Sequence, residues 1–581
     1  MNIPVKQYMA LLARYLRPQR KRVAFLVVLI LCGLVMQLAK PQILRVFIDT
    51  ATGARAGVNL VATALLFMVV AVLTQALTAY SRYVSEDVGW TATNQLRNDL
   101  ATHCLNLDMS FHKNHTSGEM IERLDGDVTK LSNFFSQLVV GILSNVLLLL
   151  GAVVMLFRED TLVGIGLSIF AVFSVVVLTY LRNIAVPYWT ADRQNSGMFF
   201  GFLGEHLAGT EDIKANGAVG YVMHRFYRRL REWLPVVRKA YLAGVTMWIA
   251  TIITFTLANV IAFGLCWHLW RTQAITIGTV YLIVNYTELL RRPIEQIRTQ
   301  MQELQRASAS ISRISGLLLI ESKVQDGPGT ELPVGPLAVE LDDVSFGYEE
   351  SDTVLQGLSF HLQPGKVLGL LGRTGSGKTT LARLLLRLYD PTAGTLRFGG
   401  VDAREAKLGH LRSRVTLVTQ DVQLFQASVR DNLTFFDQQI SDDRISAVLS
   451  ELGLEDWLRS QPNGLDTVLG SGGNSFSAGE AQLLAFARCF LADPAVVILD
   501  EASSRLDPAT EQLIERAITK LLQNRTGVII AHRLETVERA DDILILEHGS
   551  VIEHGPRLEL LHNPGSRFSR LLQTGLKELL A

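Results

Sequence analysis

Cysteine is scarce in this chain: four in 581 residues, Cys32, Cys104, Cys266 and Cys489, with no C-x-x-C pair. That spacing supports neither a disulfide framework nor a zinc site, and isolated apolar thiols are expected. Charge is scarce too, at 19% of residues, and Lys+Arg and Asp+Glu balance at 55 each. Such a chain has no large basic surface, so no nucleic-acid partner is expected. Nor is a cleavable leader expected. Residues 1–22 carry six Lys/Arg and no acid, but no small-residue cleavage site follows the next apolar run.

Apolar length is abundant, and the mean hydropathy is +0.25. Residues 23–39, 56–81, 131–157, 161–181, 240–270 and 272–287 contain no Asp, Glu, Lys or Arg. A membrane-crossing helix needs about 20 mostly apolar residues, so each run, alone or with its flanks, is long enough. Six spans are expected. Arg17, Arg20, Lys21 and Arg22 hold the N-terminal end in the cytoplasm by the positive-inside rule. The outer connections then fall at 49–58, 158–160 and 271–275. Residues 82–130 and 182–239 are long, charged and helical in pattern, and are expected to extend the helices into the cytoplasm. A Gly/Pro-rich stretch beginning at Glu321 interrupts the pattern as a linker. Beyond it, the apolar runs 367–371, 415–418, 496–499 and 528–530 alternate with helical segments, the pattern of buried parallel strands in an α/β domain.

Two motifs there carry chemistry. G-R-T-G-S-G-K-T, Gly372 to Thr379, fits the phosphate-loop pattern between a predicted strand and a predicted helix starting at Thr380. Its glycines let backbone N–H groups wrap phosphates at the positive end of the helix. Lys378 is placed to reach the β- and γ-phosphates, and Thr379 to offer its hydroxyl to Mg²⁺. The residues expected to hold ATP are Gly372, Arg373, Thr374, Gly375, Ser376, Gly377, Lys378, Thr379 and Thr380. Downstream, I-L-D-E ends an apolar run in two carboxylates, Asp500 and Glu501. A strand tip of an α/β sheet faces the ligand crevice. Asp500 suits Mg²⁺, and Glu501 suits polarisation of the attacking water.

With these motifs the chain resembles the ATP-binding cassette family, specifically exporter half-transporters with one membrane domain followed by one nucleotide-binding domain. Phe476-Ser477-Ala478-Gly479-Glu480 is similar to the family signature, usually L-S-G-G-Q, which serves the γ-phosphate held by a partner's phosphate loop. Ser477 and Gly479 are retained; Phe476, Ala478 and Glu480 depart. Tyr348 resembles the aromatic that stacks on adenine. Gln420 resembles the glutamine coupling Mg²⁺ and water to the membrane domain, and His532 the switch histidine at the γ-phosphate. Asp507 matches the acidic residue of the loop crossing the dimer interface, where Arg505 replaces a usual small residue. Residues 111–128 and 203–217 resemble the two coupling regions that press on the nucleotide domains.

The resemblance implies an α-helical six-span transmembrane domain (1–320), a linker (321–336) and an α/β phosphate-loop ATPase domain (337–581). It implies ATP and Mg²⁺ as cofactors, with the nucleotide domain cytoplasmic and the membrane part in a bacterial inner membrane. The expected activity is ATP-driven export of an amphipathic or lipid-like substrate by a dimer; peptides and other small molecules remain in the substrate class. An importer of the same architecture, an ATP-gated channel and a regulatory membrane ATPase are the alternatives. The intact Glu501, His532 and Lys378 beside an altered signature point to a related chain, rather than a second copy, as partner. Polar residues in or beside the spans, Gln37, Lys40, Gln75, Asn145, Asn259, Asn285 and Glu288, face a cavity or pair internally.

Overall fold

The structure is a computed structural model and describes residues 11, 13–137, 141, 143–349, 352–419, 422–470, 478–500, 508–531 and 537–574. The chain divides into two compact units, Met1–Cys104 with Ser117–Leu319, and Leu105–Thr116 with Ile320–Ala581.

The first unit is built from long helices. In chain order they are α1 (Arg20–Ala51) and α2 (Leu60–Asn106), after which the chain enters the second unit as the short α3 (Met109–Asn114). On its return come α4 (Leu143–Glu159), α5 (Thr161–Ala208), the short α6 (Thr210–Ala215), α7 (Val219–Arg271) and α8 (Ile277–Leu318). Helices start where a side chain satisfies their free N–H groups. Asp160 accepts from the N–H of Leu162 and Val163 to begin α5, and Thr276 from that of Thr279 to begin α8. Four helical stretches among the described residues are long and apolar enough to cross a membrane: Ala13–Ala51, Leu60–Asn106, Thr161–Ala208 and Val219–Arg271. The apolar runs at 131–157 and 272–287 fall partly on α4 and α8. The charged segments adjoining the apolar runs are helical: α2 and α5 continue well past their runs, and α7 begins well before its own.

This unit's core is narrow. Ala152, Leu156, Leu167, Ala262, Leu282 and Tyr286 meet where α4, α5, α7 and α8 pack, and Leu26, Ile30, Val84 and Val88 join α1 to α2. Polar side chains close its ends. Gln42 donates to Glu159 Oε1 (3.0 Å) and Arg45 to Glu159 Oε2 (2.5 Å). Asp49 accepts from the Gly278 N–H (2.9 Å) and the Thr276 hydroxyl (3.0 Å). In the first excursion a π-helical turn, Glu122–Asp127, carries Asp127 inward. There its carboxylate, fully buried, accepts from Ser310 (2.9 Å) and from Arg313 Nε (2.7 Å) and Nη2 (2.5 Å).

The second unit holds two sheets. The first is antiparallel, ordered β2-β1-β4-β5, from β1 (Val339–Glu349), β2 (Asp352–Leu362), β4 (Ala393–Phe398) and β5 (Val401–Asp402). The second is ordered β10-β9-β3-β8-β7-β6, from β3 (Val367–Gly372), β6 (Val415–Val418), β7 (Val496–Asp500), β8 (Thr526–Ile530), β9 (Asp542–Glu547) and β10 (Ser550–Pro556). The four runs read as parallel strands are β3, β6, β7 and β8, and they are parallel neighbours. Their continuous Val/Ile/Leu content follows from burial on both faces. Along β7, Val497 and Leu499 enter one core, with the helices α10 (Asp442–Glu451), α11 (Ala478–Ala492) and α12 (Pro508–Leu522). Val496 and Ile498 enter the other, with the antiparallel sheet and the helix α9 (Lys378–Leu385). None of the four cysteines forms a disulfide, and Cys104, Cys266 and Cys489 are buried.

Candidate nucleotide site

The phosphate-loop motif lies between a strand end and a helix start, the context its chemistry needs. β3 ends at Gly372 and the next helix begins at Lys378. Gly372 has φ +152°, and a Cβ there would run into the Leu546 carbonyl and the Ser376 hydroxyl. Gly377, at φ +104°, caps the helix in the left-handed region, and a Cβ there would strike Leu355. A side chain at either position would clash with this packing and adopt a backbone conformation that L residues avoid.

Lys378 is buried, its ammonium donating to the Gly372 carbonyl (2.6 Å) and the Arg373 carbonyl (3.0 Å). The Ser376 hydroxyl is buried and has no hydrogen-bond partner among the described residues. Arg373, Thr374, Gly375 and Thr379 are exposed at the mouth. A concave loop with a buried ammonium and an orphaned hydroxyl at the start of a helix fits a polyphosphate.

Asp500 ends β7 level with Ile530 of β8, which is itself level with Leu370 of β3. Two strand spacings therefore separate the carboxylate strand from the phosphate-loop strand, about 10 Å. Asp500 and the exposed Thr379 hydroxyl are the donors that fit a hard, oxygen-seeking Mg²⁺ on this side of the sheet.

Tyr348 lies on β1, and its hydroxyl meets Thr380 Oγ1 (3.1 Å) and accepts from Arg383 Nη1 (3.0 Å). This joins the aromatic to the helix that follows the phosphate loop. Phe346 and Tyr389 pack against the ring nearly at right angles, with centroids 5.1 and 5.3 Å away. Burial raises the Tyr389 phenol pKa above its ordinary value. Gly479 is buried in the first turn of α11. Gln420, Ser477, Glu501, Asp507 and His532 lie outside the described residues.

The structure thus brings together Tyr348, Gly372 to Thr380 and Asp500. In the membrane unit, several candidate cavity residues are engaged. Asn145 donates to Gln296 (2.6 Å), Asn259 to the Phe255 carbonyl (3.2 Å), and Glu288 pairs with Arg291 (3.3 Å). Two features had no sequence signal. Lys113 Nζ stands 4.2 Å from the Tyr348 ring centroid, and Arg313 binds Asp127. Both join residues far apart in the chain, so spacing does not reveal them.

The chain matches the family described as "ABC transporter" over residues 355–504, and that described as "ABC transporter transmembrane region" over residues 23–294. The uncharacterized ABC transporter ATP-binding protein YknV of Bacillus subtilis (strain 168) is 30% identical over 95% of this chain and 92% of its own. An ATP-dependent lipid A-core flippase of Photorhabdus laumondii is 30% identical over 84% of each chain. The fatty acid ABC transporter ATP-binding/permease protein of Mycobacterium tuberculosis is 29% identical over 81% of this chain and 74% of its own. Among solved structures, a bacterial Atm1-family ABC exporter with ATP bound superimposes with a TM-score of 0.79 at 25% identity, covering 96% of this chain and 98% of that one. With a membrane region and an ATP-binding domain matched in order along one polypeptide, the protein belongs to the ABC transporter family as an integral-membrane, exporter-type half-transporter with its nucleotide-binding domain on the cytoplasmic side.

Proposed function

We propose that this chain is half of an ATP-driven pump that moves an amphipathic or lipid-like substrate out across a bacterial inner membrane by alternating access. The observation that carries the proposal is the phosphate cradle, with its buried Lys378 and orphaned Ser376 hydroxyl, in a chain whose other half is apolar helices. Relatives named for lipid A-core and fatty acid transport support a lipid-like cargo. So does Glu288, which already has Arg291 as counter-ion and is poorly suited to receive a cationic substrate.

The loop N–H groups and Lys378 hold the ATP phosphates, while Thr379, Asp500 and Gln420 hold Mg²⁺. When bound, Mg²⁺ neutralises charge on the phosphate oxygens. Tyr348 stacks on the base, Glu501 orients and polarises the water, and His532 contacts the γ-phosphate. Ser477 and Gly479 act on the partner's ATP, across an interface that Asp507 lines. ATP drives closure because it binds the closed pair better than the open one. Closure passes to the spans through residues 111–128 and 203–217. A cleft of about 570 Å³ in the nucleotide unit, lined by Leu388, Val415, Leu417, Val422, Phe425 and Arg488, suits a short helix such as the exposed α6 of a partner chain.

The partner is proposed to be a related chain with an intact signature, because Phe476, Ala478 and Glu480 alter this one. ATP-dependent uptake of labelled lipids into inside-out vesicles, with and without a co-expressed neighbour, tests both parts. Uptake should require hydrolysis, and Glu501→Gln should retain ATP and stop it. Downhill flux without hydrolysis would identify a channel instead. Full activity from the chain alone would replace the heterodimer with a homodimer.

A further inference from the structure

Tyr348 is met by a residue from the other half of the sequence. Residues 105–116 fold with the nucleotide unit, and Asp108 anchors them there. Its carboxylate caps α3, accepting from the N–H of Ser110 (2.8 Å) and Phe111 (3.3 Å), and also accepts from the Lys323 N–H (2.5 Å). Burial alone would raise the Asp108 pKa; these N–H donors outweigh it and hold the carboxyl below its ordinary value. Leu107 and Phe111 are buried, and Phe111 stacks on His115 with centroids 4.3 Å apart.

So anchored, α3 places the Lys113 ammonium 4.2 Å from the Tyr348 centroid. Thr380 and Arg383 fix the ring's hydroxyl end, and Phe346 and Tyr389 pack against the ring itself. An ammonium over an aromatic face is attracted by the ring's quadrupole. A planar base stacked on that face would occupy the same space, because one ring face accommodates one partner at contact distance.

We propose that Lys113 and the nucleotide base compete for one face of Tyr348, making Lys113 a positioning residue that tunes affinity for purine nucleotides. The proposal rests on the reading of Tyr348 as the base-stacking residue. It also gives base docking a route to the membrane helices, since α3 follows directly on the end of α2. A base that displaces Lys113 removes one of the contacts holding α3. Polyphosphates without a base should not feel the residue.

The test is equilibrium binding of ATP and of tripolyphosphate, in EDTA, to the full-length chain in nanodiscs. Losing a half-exposed cation–π contact is a change of about fivefold. Lys113→Met is therefore expected to tighten ATP about fivefold and leave tripolyphosphate unchanged, while Lys113→Arg restores the weaker ATP binding. In a Tyr348→Leu background, Lys113→Met should make no difference. Unchanged or weaker ATP binding in Lys113→Met, while Tyr348→Leu still weakens ATP selectively, overturns the competition and leaves the Tyr348 role standing. Equal changes for ATP and tripolyphosphate in Lys113→Met also overturn it. If Tyr348→Leu weakens ATP no more than tripolyphosphate, the base-stacking reading fails, and the proposal falls with it.

Discussion

The nucleotide unit hides its apolar residues, whereas the membrane unit displays them. In β7, Val496, Val497, Ile498 and Leu499 are each no more than 1% exposed, alternating between two cores. Along α5, Val172, Phe173 and Val176 are 65%, 51% and 61% exposed. The difference tells which solvent each unit is built for: a sheet surrounded by its own protein in water, helices surrounded by lipid or a partner. It also tells where each unit places its charges. In the membrane unit, Glu159 and Asp127 are paired with arginines, as low-dielectric surroundings demand. In the nucleotide unit, by contrast with these arginine-paired carboxylates, the buried Lys378 donates to main-chain carbonyls of its own loop, Gly372 and Arg373.

The sharpest test of that contrast is removal of the phosphate-loop charge. Lys378→Ala should cut ATP hydrolysis by about a hundredfold or more, by analogy with other deleted transition-state charge contacts, with no comparable loss of thermal stability. Phosphate release and a melting curve on one preparation read both quantities.

Structural charge should behave the opposite way. Arg313→Ala leaves the Asp127 carboxylate buried with Lys130 as its remaining cation, and should cost about 3 kcal/mol. Asp127→Asn should cost less, because the half-exposed Arg313 can turn to water. Both are measured as a fall in melting temperature, and equal falls would contradict this asymmetry. The pH dependence has a definite sign. Burial would raise the Asp127 pKa, but the Arg313 and Ser310 hydrogen bonds outweigh it and hold it below its ordinary value. Its contribution is therefore fully present above the unfolded carboxyl pKa and is lost as pH falls through the lower folded one. Melting followed from pH 7 down to pH 3 should show wild type resisting acid to a lower pH than Arg313→Ala.

Ser376→Ala removes a hydroxyl that has no partner among the described residues, so it should leave stability nearly unchanged while weakening ATP binding about fivefold. A stability loss with unaltered ATP affinity would assign the hydroxyl to the fold instead. The smallest effect is chemical: burial pushes the Cys489 thiol pKa up to about 12, so maleimide at pH 8 should label it only after denaturation.

Much of the nucleotide unit was legible because its cues are local. β3, β6, β7 and β8 are short Val/Ile/Leu runs, and the phosphate loop is a contiguous string between a strand and a helix. β1 was not legible as a strand. Its sequence V-E-L-D-D-V-S-F-G-Y-E mixes polar with apolar residues, its pairing shifts register repeatedly, and Asp343 sits at φ +50°, so the period of two is broken. In the membrane unit, the apolar runs gave the long helices, but the partners of Asp127 and Asn145 lie far along the chain. Gln420, Ser477, Glu501, Asp507 and His532 stand on the sequence alone.

By itself the sequence determined the order of the parts: apolar helices, linker, phosphate loop and carboxylate strand. Each of these is a periodicity or motif written in neighbouring residues. Only the tertiary structure decided that residues 105–116 belong with the nucleotide unit, that Arg313 neutralises Asp127, and that Lys113 faces Tyr348. These contacts join segments with no common period, and packing and charge bring them together only once the chain has folded.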